Sequence, residues 1–297
     1  MTIPFEVRLP DGPVGAEIFG IDLANDVDDA TFREIEKVFH DRAVICFRDQ
    51  KLTPEQHVRF SRHFGPVEVP TNRQYSLASC PEIYVVSNIV ENGRPIGNAD
   101  AGRVWHTDSS YMKVPSRCSL LYAIEVPRDA SGQPLGDTLF ASMTAAYQAL
   151  PEATKARIAG LEGIHNYTAQ YERRLAKMKA QGLEREELTD EMRAKVPDVV
   201  HPVVRPHPLT GKKCVYVNVA FVNEIVGLDS DEAVRLRDEL VEHSTAPRFV
   251  YRHRWREGDL LIWDNSATQH LAIADYALPQ RRLMYRTTVK GTAPSPA

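Results

Sequence analysis

The first 87 residues alternate between short apolar runs and segments with helical periodicity. Apolar side chains spaced three or four apart predict a helix from Asp28 to Ala43, and Val44 to Phe47 follows it as a buried strand. Thr53-Pro54-Glu55-Gln56 has the capping-box pattern with proline in the first turn, so it predicts a second helix that runs to about His63 and stops before Gly65. Two short strands within residues 5–22 and a strand from Glu82 to Ser87 complete this part of the prediction.

Beyond residue 88 the pattern changes to short strands separated by irregular loops. Residues 88–104 have few apolar positions and contain Asn92-Gly93, which is typical of a loop. Ser142 is a predicted N-cap, and Asp229 or Ser230 caps a helix that runs to about residue 243. The strands predicted from here on are 118–124, 138–140, 203–205, 214–218, 249–254, 259–264 and 283–289.

Two charged or polar segments remain, and they complete the predicted fold. Residues 151–197 are helical in pattern and heavily charged, which is typical of a solvated helical insertion. Residues 291–297 are predicted to be a disordered tail. Short strands with helices at the start and in one insertion favour a mainly β fold, an antiparallel sandwich or barrel of the jelly-roll (double-stranded β-helix) type decorated by helices. We predict one domain over residues 1–297.

Composition narrows the class of protein without changing this fold. The chain has 297 residues with 43% hydrophobic and 26% charged residues, and its net charge of -4 gives no reason to expect nucleic acid as a partner. Neither a secretory leader nor a membrane span is visible, so we expect no membrane partner. Four widely spaced cysteines without CxxC spacing predict reduced thiols and a cytoplasmic protein. The oligomeric state stays open, a homo-oligomer included.

Candidate chemistry begins at His106 and Asp108, which lie two positions apart at the end of a β-rich segment. Iron(II) oxygenases hold the ion with two His and one carboxylate on one side, leaving the opposite positions open. The spacing alone is a weak signal, because 10 His and 40 acidic residues in this chain predict roughly one such pair by chance. A third ligand is therefore needed, and the strongest candidate is His270. A lone His beside strands is usually structural, so the sequence pattern alone does not decide for His270.

Several further segments together resemble one enzyme family. They are Gly15-Ala16-Glu17-Ile18-Phe19-Gly20-Ile21-Asp22-Leu23, Phe47-Arg48-Asp49-Gln50, Trp105-His106-Thr107-Asp108, Gly136-Asp137-Thr138-Leu139, Trp263-Asp264-Asn265, Thr268-Gln269-His270 and Pro279-Gln280-Arg281-Arg282-Leu283-Met284-Tyr285-Arg286. In this order, over nearly the whole chain, they resemble the taurine dioxygenase and 2,4-D dioxygenase (TauD/TfdA-like) family of iron(II), 2-oxoglutarate-dependent oxygenases.

The resemblance implies a ligand set and a cosubstrate site. It implies that His106, Asp108 and His270 bind iron(II) and that 2-oxoglutarate and O2 react there, giving succinate, CO2 and a hydroxylated substrate. It also implies that Arg282 and Thr138 hold the far carboxylate of 2-oxoglutarate. A planar guanidinium that binds a carboxylate through two hydrogen bonds, with a hydroxyl adding a third, suits such an anchor.

The resemblance assigns Arg286 to the acidic group of a small anionic organic substrate. Arg282 and Arg286 are four apart on a predicted strand, so they share a face but lie about 13 Å apart, at about 3.3 Å per residue. One carboxylate therefore cannot occupy both unless the side chains converge. Tyr111, Tyr167 and Phe221 fall near positions that line the substrate pocket in the family, although large aromatic side chains more often belong to a core.

Alternative functions stay open at this stage. Pro70 and Gly102 stand where taurine dioxygenases carry a His and an Asn, so we expect an anionic substrate other than taurine, with taurine or an alkylsulfonate as the alternative. The loop from Val69 to Arg103 is expected to supply specificity, and whether it closes over the substrate stays open. A metallohydrolase or isomerase with the same three ligands, or a non-catalytic metal-stabilised binding module, would not need Arg282 and Thr138.

Overall fold

The computed structural model describes residues 4–70, 73–100, 102–180 and 187–297. Its strands are β1 (Glu6–Arg8), β2 (Ala16–Phe19), β3 (Val44–Phe47), β4 (Ser76–Leu77), β5 (Cys80–Ser87), β6 (Val90–Glu91), β7 (Arg94–Pro95), β8 (Ser116–Glu125), β9 (Thr138–Ser142), β10 (Glu162–His165), β11 (Val199–Pro202), β12 (Val204–Pro206), β13 (Lys213–Val215), β14 (Val222–Ile225), β15 (Val250–His253), β16 (Leu260–Asp264), β17 (Thr268–Ala272) and β18 (Leu283–Lys290).

The described residues form fewer helices than strands, so the protein is mainly β with helices, as predicted. They are α1 (Asp29–Arg42), α2 (Pro54–Ser61), α3 (Met143–Gln148), α4 (Glu152–Ile158), α5 (Tyr167–Ala180), α6 (Asp190–Lys195) and α7 (Ser230–Ser244), with short 3-10 helices at Arg62–Phe64 and Pro247–Phe249. None of the described helices has the length and hydropathy needed to cross a membrane.

The largest sheet has eight strands in the order β1-β2-β3-β16-β8-β18-β5-β4. Neighbouring strands are antiparallel except β2 and β3, which are parallel. The central strand β16 is buried along its whole length because both faces of the sheet are covered. On one face Ile262 belongs to a cluster with Phe39 of α1 and Phe60 of α2. On the other face Leu261 belongs to a cluster with Phe140 and Trp255.

A three-stranded sheet, β15-β9-β17, covers that second face. Phe140 of β9 contacts Trp263 of β16 with ring centroids 5.6 Å apart, so the two sheets share a core. Phe140 is also the pairing partner of His270 on β17. Since the His270 ring packs against both Phe140 and Trp263, at 5.7 and 4.9 Å between centroids, it lies between the two sheets.

The predicted helix starts are confirmed by their capping bonds. Asp28 accepts hydrogen bonds from the first backbone amides of α1. Thr53 and Gln56 form the reciprocal pair of a capping box at the start of α2. Ser142 caps α3 and Asp229 caps α7. Local sequence therefore determines where these helices begin.

The segment 151–197 differs from its prediction, because it is not helical throughout. It contains α4, α5 and α6, but Glu162–His165 between them is β10, which pairs with both β11 and β14. Gly163 and His165 are buried in this small sheet, and a Cβ added at Gly163 would lie 3.2 Å from Val222. Burial against neighbouring strands therefore overrides the charged, helix-like surroundings. Residues 181–186 of the segment lie outside the described residues.

Several other segments also form strands that the pattern did not predict, among them Ser76–Leu77, Val199–Pro202 and Val222–Ile225. Val90–Glu91 and Arg94–Pro95 pair as a hairpin around Asn92-Gly93, whose positive φ angles of 50° and 75° suit a tight hairpin turn. Thr268–Ala272 forms β17. Residues 291–297 contain neither helix nor strand, and residues 71, 72 and 101 of the predicted specificity loop lie outside the described residues.

Candidate active site

His106 and His270 are brought together by main-chain pairing. The amide of His270 donates to the carbonyl of His106 at 2.8 Å, and the amide of His106 donates back at 3.2 Å. The two imidazole rings have centroids 4.1 Å apart. An isolated antiparallel bridge therefore closes the long sequence gap between the two predicted ligands.

Asp108 completes a compact group with both imidazoles. Its Oδ1 lies 3.5 Å from Nε2 of His106 and 3.9 Å from Nε2 of His270. One ligand atom from each of the three residues falls within 4.8 Å of the other two. Two imidazole nitrogens and one carboxylate oxygen on one side of a buried space are the donor set of non-haem iron(II) sites, so the residues fit this metal.

Hydrogen bonds outside the group fix the direction of two of the three candidate ligands, His106 and Asp108. Nδ1 of His106 lies 2.8 Å from the carbonyl of Val104, which leaves Nε2 directed at Asp108. The Ser119 hydroxyl donates to Oδ2 of Asp108 at 2.6 Å, which leaves Oδ1 facing the imidazoles. Asn265 donates to the Ser119 hydroxyl at 3.2 Å and accepts from the Asp108 amide at 3.4 Å. These contacts hold the Asp108 carboxylate in a single orientation.

The charge states of the group suit metal binding. Burial alone would raise the pKa of Asp108, but Arg286, His106 and His270 together hold it well below its usual range. Burial, with a smaller contribution from the neighbouring His106, lowers the pKa of His270 to about 3. Asp108 is therefore ionised and His270 neutral at pH 7, which are the forms that coordinate a cation.

Arg286 reaches the same group from strand β18. Its Nη1 lies 3.6 Å from Oδ1 of Asp108, and its guanidinium stacks over the Tyr84 ring at 5.2 Å. The side chain is 25% exposed, so it is open to a ligand from solvent. The structure thus places a cation beside the three candidate ligands.

Arg282 lies in a different environment from Arg286. The strand begins only at Leu283, and its pairing shifts register between Leu283 and Met284, so the even alternation assumed from the sequence does not hold. Arg282 is 3% exposed and donates to Tyr276 at 3.2 Å. In the part of the chain that the structure describes, Arg282 forms no ion pair with a carboxylate, and its Nε has no hydrogen-bond partner.

Thr138 connects to Arg282 through one shared neighbour. The indole N–H of Trp255 donates to the Thr138 hydroxyl at 3.0 Å. The Arg282 guanidinium lies 5.8 Å from the centre of the same indole ring. A buried guanidinium without a carboxylate partner among the described residues has the chemistry to bind a small carboxylate, because burying an unpaired cation is otherwise costly.

The three predicted pocket aromatics form one cluster. Tyr111 contacts Tyr167 and Phe221, with ring centroids 4.6 and 4.9 Å away. Burial raises the pKa of Tyr111, and Tyr167 and Asp108 add to that effect, so the phenol is neutral at pH 7. Tyr111 follows Asp108 by three positions, so the chain itself keeps the cluster near the ligand group.

Sequence reasoning missed three residues that support these sites. Asn265 stands in a segment that carried the family resemblance, which was the one available signal. Ser119 and Trp255 had no signal of their own, because each acts through a contact between distant strands. Ser119 reaches Asp108 because β8 pairs with β16, which places Ser119 opposite Trp263.

Comparison with known proteins agrees with this geometry. The family model "Taurine catabolism dioxygenase TauD, TfdA family" matches residues 6–288. The alpha-ketoglutarate-dependent 2,4-dichlorophenoxyacetate dioxygenase of Cupriavidus pinatubonensis is 34% identical over 92% of this chain and 93% of its own. The alpha-ketoglutarate-dependent sulfate ester dioxygenase of Pseudomonas putida is 32% identical over 99% and 92%.

A solved structure is also similar to this chain in sequence and fold. The crystal structure of AAD-2 in complex with Mn(II) and N-oxalylglycine is 31% identical, covers 99% of both chains and superposes with a TM-score of 0.79. Because the family match spans nearly all of the chain and relatives above 30% identity cover it almost completely, the protein belongs to the TauD/TfdA family of 2-oxoglutarate-dependent dioxygenases, which use iron(II), 2-oxoglutarate and O2.

Proposed function

We propose that His106, Asp108 and His270 hold iron(II) and that the protein hydroxylates a small anionic organic substrate. The reaction consumes one 2-oxoglutarate and one O2, inserts one oxygen atom into a substrate C–H bond and yields succinate and CO2, with cleavage where the hydroxylated carbon carries a leaving group. Iron(II), when bound, supplies the redox chemistry that couples the two oxidations. The observation that carries the proposal is a complete two-His, one-carboxylate group in a chain that also buries Arg282 without a carboxylate partner among the described residues.

In this proposal Arg282 and Thr138 bind the far carboxylate of 2-oxoglutarate. A charged hydrogen-bonding pair in a buried site is stronger than the same pair in water, and a planar guanidinium matches a carboxylate with two parallel bonds. The cosubstrate would also neutralise the buried Arg282 charge. A hydrolase or isomerase with the same metal ligands has no use for such a site, which favours the oxygenase.

Arg286 and the aromatic cluster are proposed to bind the primary substrate. Arg286 offers a cation to an acidic head group, while Tyr111, Tyr167 and Phe221 offer an apolar wall to the rest of the molecule. The relatives are named for phenoxyacetate and sulfate ester substrates, and both classes combine an anionic group with an apolar body. A taurine or alkylsulfonate substrate remains the alternative.

The finer architecture is also part of the proposal. We propose that the eight-stranded sheet and the β15-β9-β17 sheet form the two faces of a jelly-roll core within one domain over residues 1–297. The core shared by the two sheets and the position of His270 between them support this assignment. A homo-oligomer is compatible with it.

The function is tested with a panel of aryloxyalkanoates, sulfate esters, alkylsulfonates, phosphonates and amino acids. Each compound is incubated with enzyme, iron(II), 2-oxoglutarate and O2, and succinate is measured with and without the compound. We expect substrate-dependent succinate from at least one anionic class, and none when O2 is excluded. Turnover of a panel member without O2 and without succinate would instead indicate a hydrolase or isomerase.

A further inference from the structure

Trp255 lies at the point where the two predicted cosubstrate anchors meet. It is fully buried, in the connection between β15 and β16. Its N–H contacts Thr138 of β9, and its ring faces Arg282, which precedes β18. One side chain therefore contacts anchors that come from two different sheets.

The direction of the Trp255 hydrogen bond decides what the Thr138 hydroxyl can do. An indole N–H only donates, so Thr138 Oγ1 must accept this bond with one of its lone pairs. Among the described residues, Thr138 Oγ1 makes no hydrogen bond other than this one. Its own hydrogen stays available as a donor, which is what a carboxylate requires.

A buried polar network holds the Trp255 ring in place. His253 packs its edge against Trp255, with ring centroids 4.6 Å apart and an angle of 84° between the planes. His253 Nε2 lies 3.2 Å from Oδ2 of Asp259, and Arg48 donates to the same oxygen at 2.5 Å. Asp259 also accepts from the amide of Arg256 at 2.7 Å, one residue beyond Trp255. The indole therefore packs against a histidine that is itself held by buried polar contacts.

We propose that Trp255 is a positioning residue for the cosubstrate pocket, where its N–H keeps the Thr138 hydroxyl oriented as a donor and its ring keeps Arg282 in the pocket. The inference rests on the proposed function, since it assumes that Thr138 and Arg282 hold the far carboxylate of 2-oxoglutarate. It predicts a defect in 2-oxoglutarate binding from a residue that does not touch 2-oxoglutarate.

The test measures binding of N-oxalylglycine to the Mn(II)-loaded protein by calorimetry, which requires no turnover. Trp255→Phe keeps an aromatic ring beside Arg282 but removes the N–H, and we expect the dissociation constant to rise about tenfold, the order of one hydrogen bond to a charged group. In turnover assays, the KM for 2-oxoglutarate should rise with a much smaller change in kcat. Mn(II) affinity should stay within about twofold of wild type.

A double-mutant cycle separates positioning from general damage. If the N–H acts through the hydroxyl, Trp255→Phe should weaken binding by less than about twofold when Thr138→Val is already present. Tyr122→Phe is the matched control, because it removes a buried tyrosine hydrogen bond of 3.0 Å to the carbonyl of Gln50, which involves neither Thr138 nor the residues that pack against Trp255. It should leave the affinity for N-oxalylglycine unchanged.

The outcomes distinguish the inference from the function on which it rests. If Arg282→Ala and Thr138→Val leave N-oxalylglycine binding intact, the proposed pocket itself is wrong. If they weaken binding but Trp255→Phe does not, or if the Trp255 and Thr138 effects simply add, the role of Trp255 is overturned. Should Trp255→Phe fail to fold, benzothienylalanine at position 255, which has the indole shape without the N–H, gives the same comparison.

Discussion

Ser119 donates a hydrogen bond of 2.6 Å to Oδ2 of Asp108, and this contact leaves only Oδ1 facing the two imidazoles. Asn265 supports Ser119 from behind at 3.2 Å. Removal of such a supporting hydrogen bond typically lowers metal affinity ten- to a hundredfold. We therefore expect Ser119→Ala to weaken Mn(II) binding about tenfold, as measured by calorimetry.

Ser61→Ala is the matched control for Ser119→Ala. Ser61 is also a fully buried serine, and its hydroxyl bonds to the carbonyl of His57 and to Thr287. Within the described part of the chain it makes no hydrogen bond to the ligand group, so its loss should reduce stability without changing Mn(II) affinity. Equal metal affinity in Ser119→Ala and wild type would contradict the assignment of Ser119.

The three proposed metal ligands give the second prediction. His106→Ala, Asp108→Ala and His270→Ala should each abolish substrate-dependent succinate and weaken iron(II) binding, because each removes one of three protein ligands. His243→Ala removes a histidine whose Nε2 lies 2.9 Å from the carbonyl of Ala146, and it should keep nearly full activity. Full turnover by any of the first three variants would exclude the metal assignment.

Arg282 gives the third prediction. Arg282→Ala should raise the KM for 2-oxoglutarate by a factor that corresponds to about 2 to 5 kcal/mol, since it leaves a carboxylate unpaired in a buried site. The KM for the primary substrate should change much less. Arg282→Lys keeps the charge but loses the two parallel hydrogen bonds, so it should fall between wild type and Arg282→Ala. An unchanged KM for 2-oxoglutarate would refute the anchor.

The fold was predictable where local chemistry decides it. Capping residues such as Asp28 and Thr53 determine helix starts by themselves, and the apolar run Val44 to Phe47 forms a strand wherever it packs. Strand β10 was not predictable in this way. Its four residues sit among charged helices and become a strand only through pairing with β11 and β14, which lie far along the chain.

The residues of the candidate site also divide into those that local sequence reveals and those that it does not. His106, Asp108 and His270 could be proposed because recognisable segments carry them, and the structure does bring them together. The sequence predicts Arg282 and Arg286 on one face of a regular strand, some distance apart. In the structure the strand pairing shifts register next to Leu283, so the regular alternation does not apply to Arg282. Ser119 and Trp255 depend on the pairing of distant strands, and no spacing in the sequence encodes such a contact.

His57 gives a prediction about stability rather than activity. It is fully buried near Thr287, and burial lowers its pKa from 6.5 to about 3 despite an opposing backbone hydrogen bond. The unfolded chain therefore binds a proton below pH 6.5 that the folded chain does not bind until about pH 3. Stability is fully present above pH 6.5 and is lost as the pH falls, by about 2 kcal/mol at pH 5 from this group.

His57→Gln isolates this contribution, because the other buried histidines titrate equally in both proteins. The free energy of unfolding is measured by denaturant titration at pH 8 and pH 5. Between these pH values, wild type should lose about 2 kcal/mol more than His57→Gln. Parallel pH profiles for the two proteins would show that His57 is not kept neutral by burial.

The last prediction concerns the primary substrate. Gly102 lies beside one of the three candidate metal ligands, since a Cβ added there would stand 3.4 Å from Cε1 of His106. Its φ of 77° suits glycine. No side chain at this position can hold the amino group of taurine, whereas Arg286 remains to bind an anion. We therefore expect taurine to be a poor substrate and a larger carboxylate or sulfonate to be a better one.

Arg286→Ala should lower kcat/KM for that anionic substrate by a factor that corresponds to about 2 to 4 kcal/mol of lost transition-state stabilisation. The KM for 2-oxoglutarate should change little. Arg281→Ala is the matched control, because Arg281 forms an exposed ion pair with Glu125 and should be neutral in both assays. The measurement is succinate formation with taurine and with the best anionic compound of the panel. Efficient turnover of taurine, or of a neutral compound that Arg286→Ala leaves unaffected, would show that Arg286 does not select the substrate.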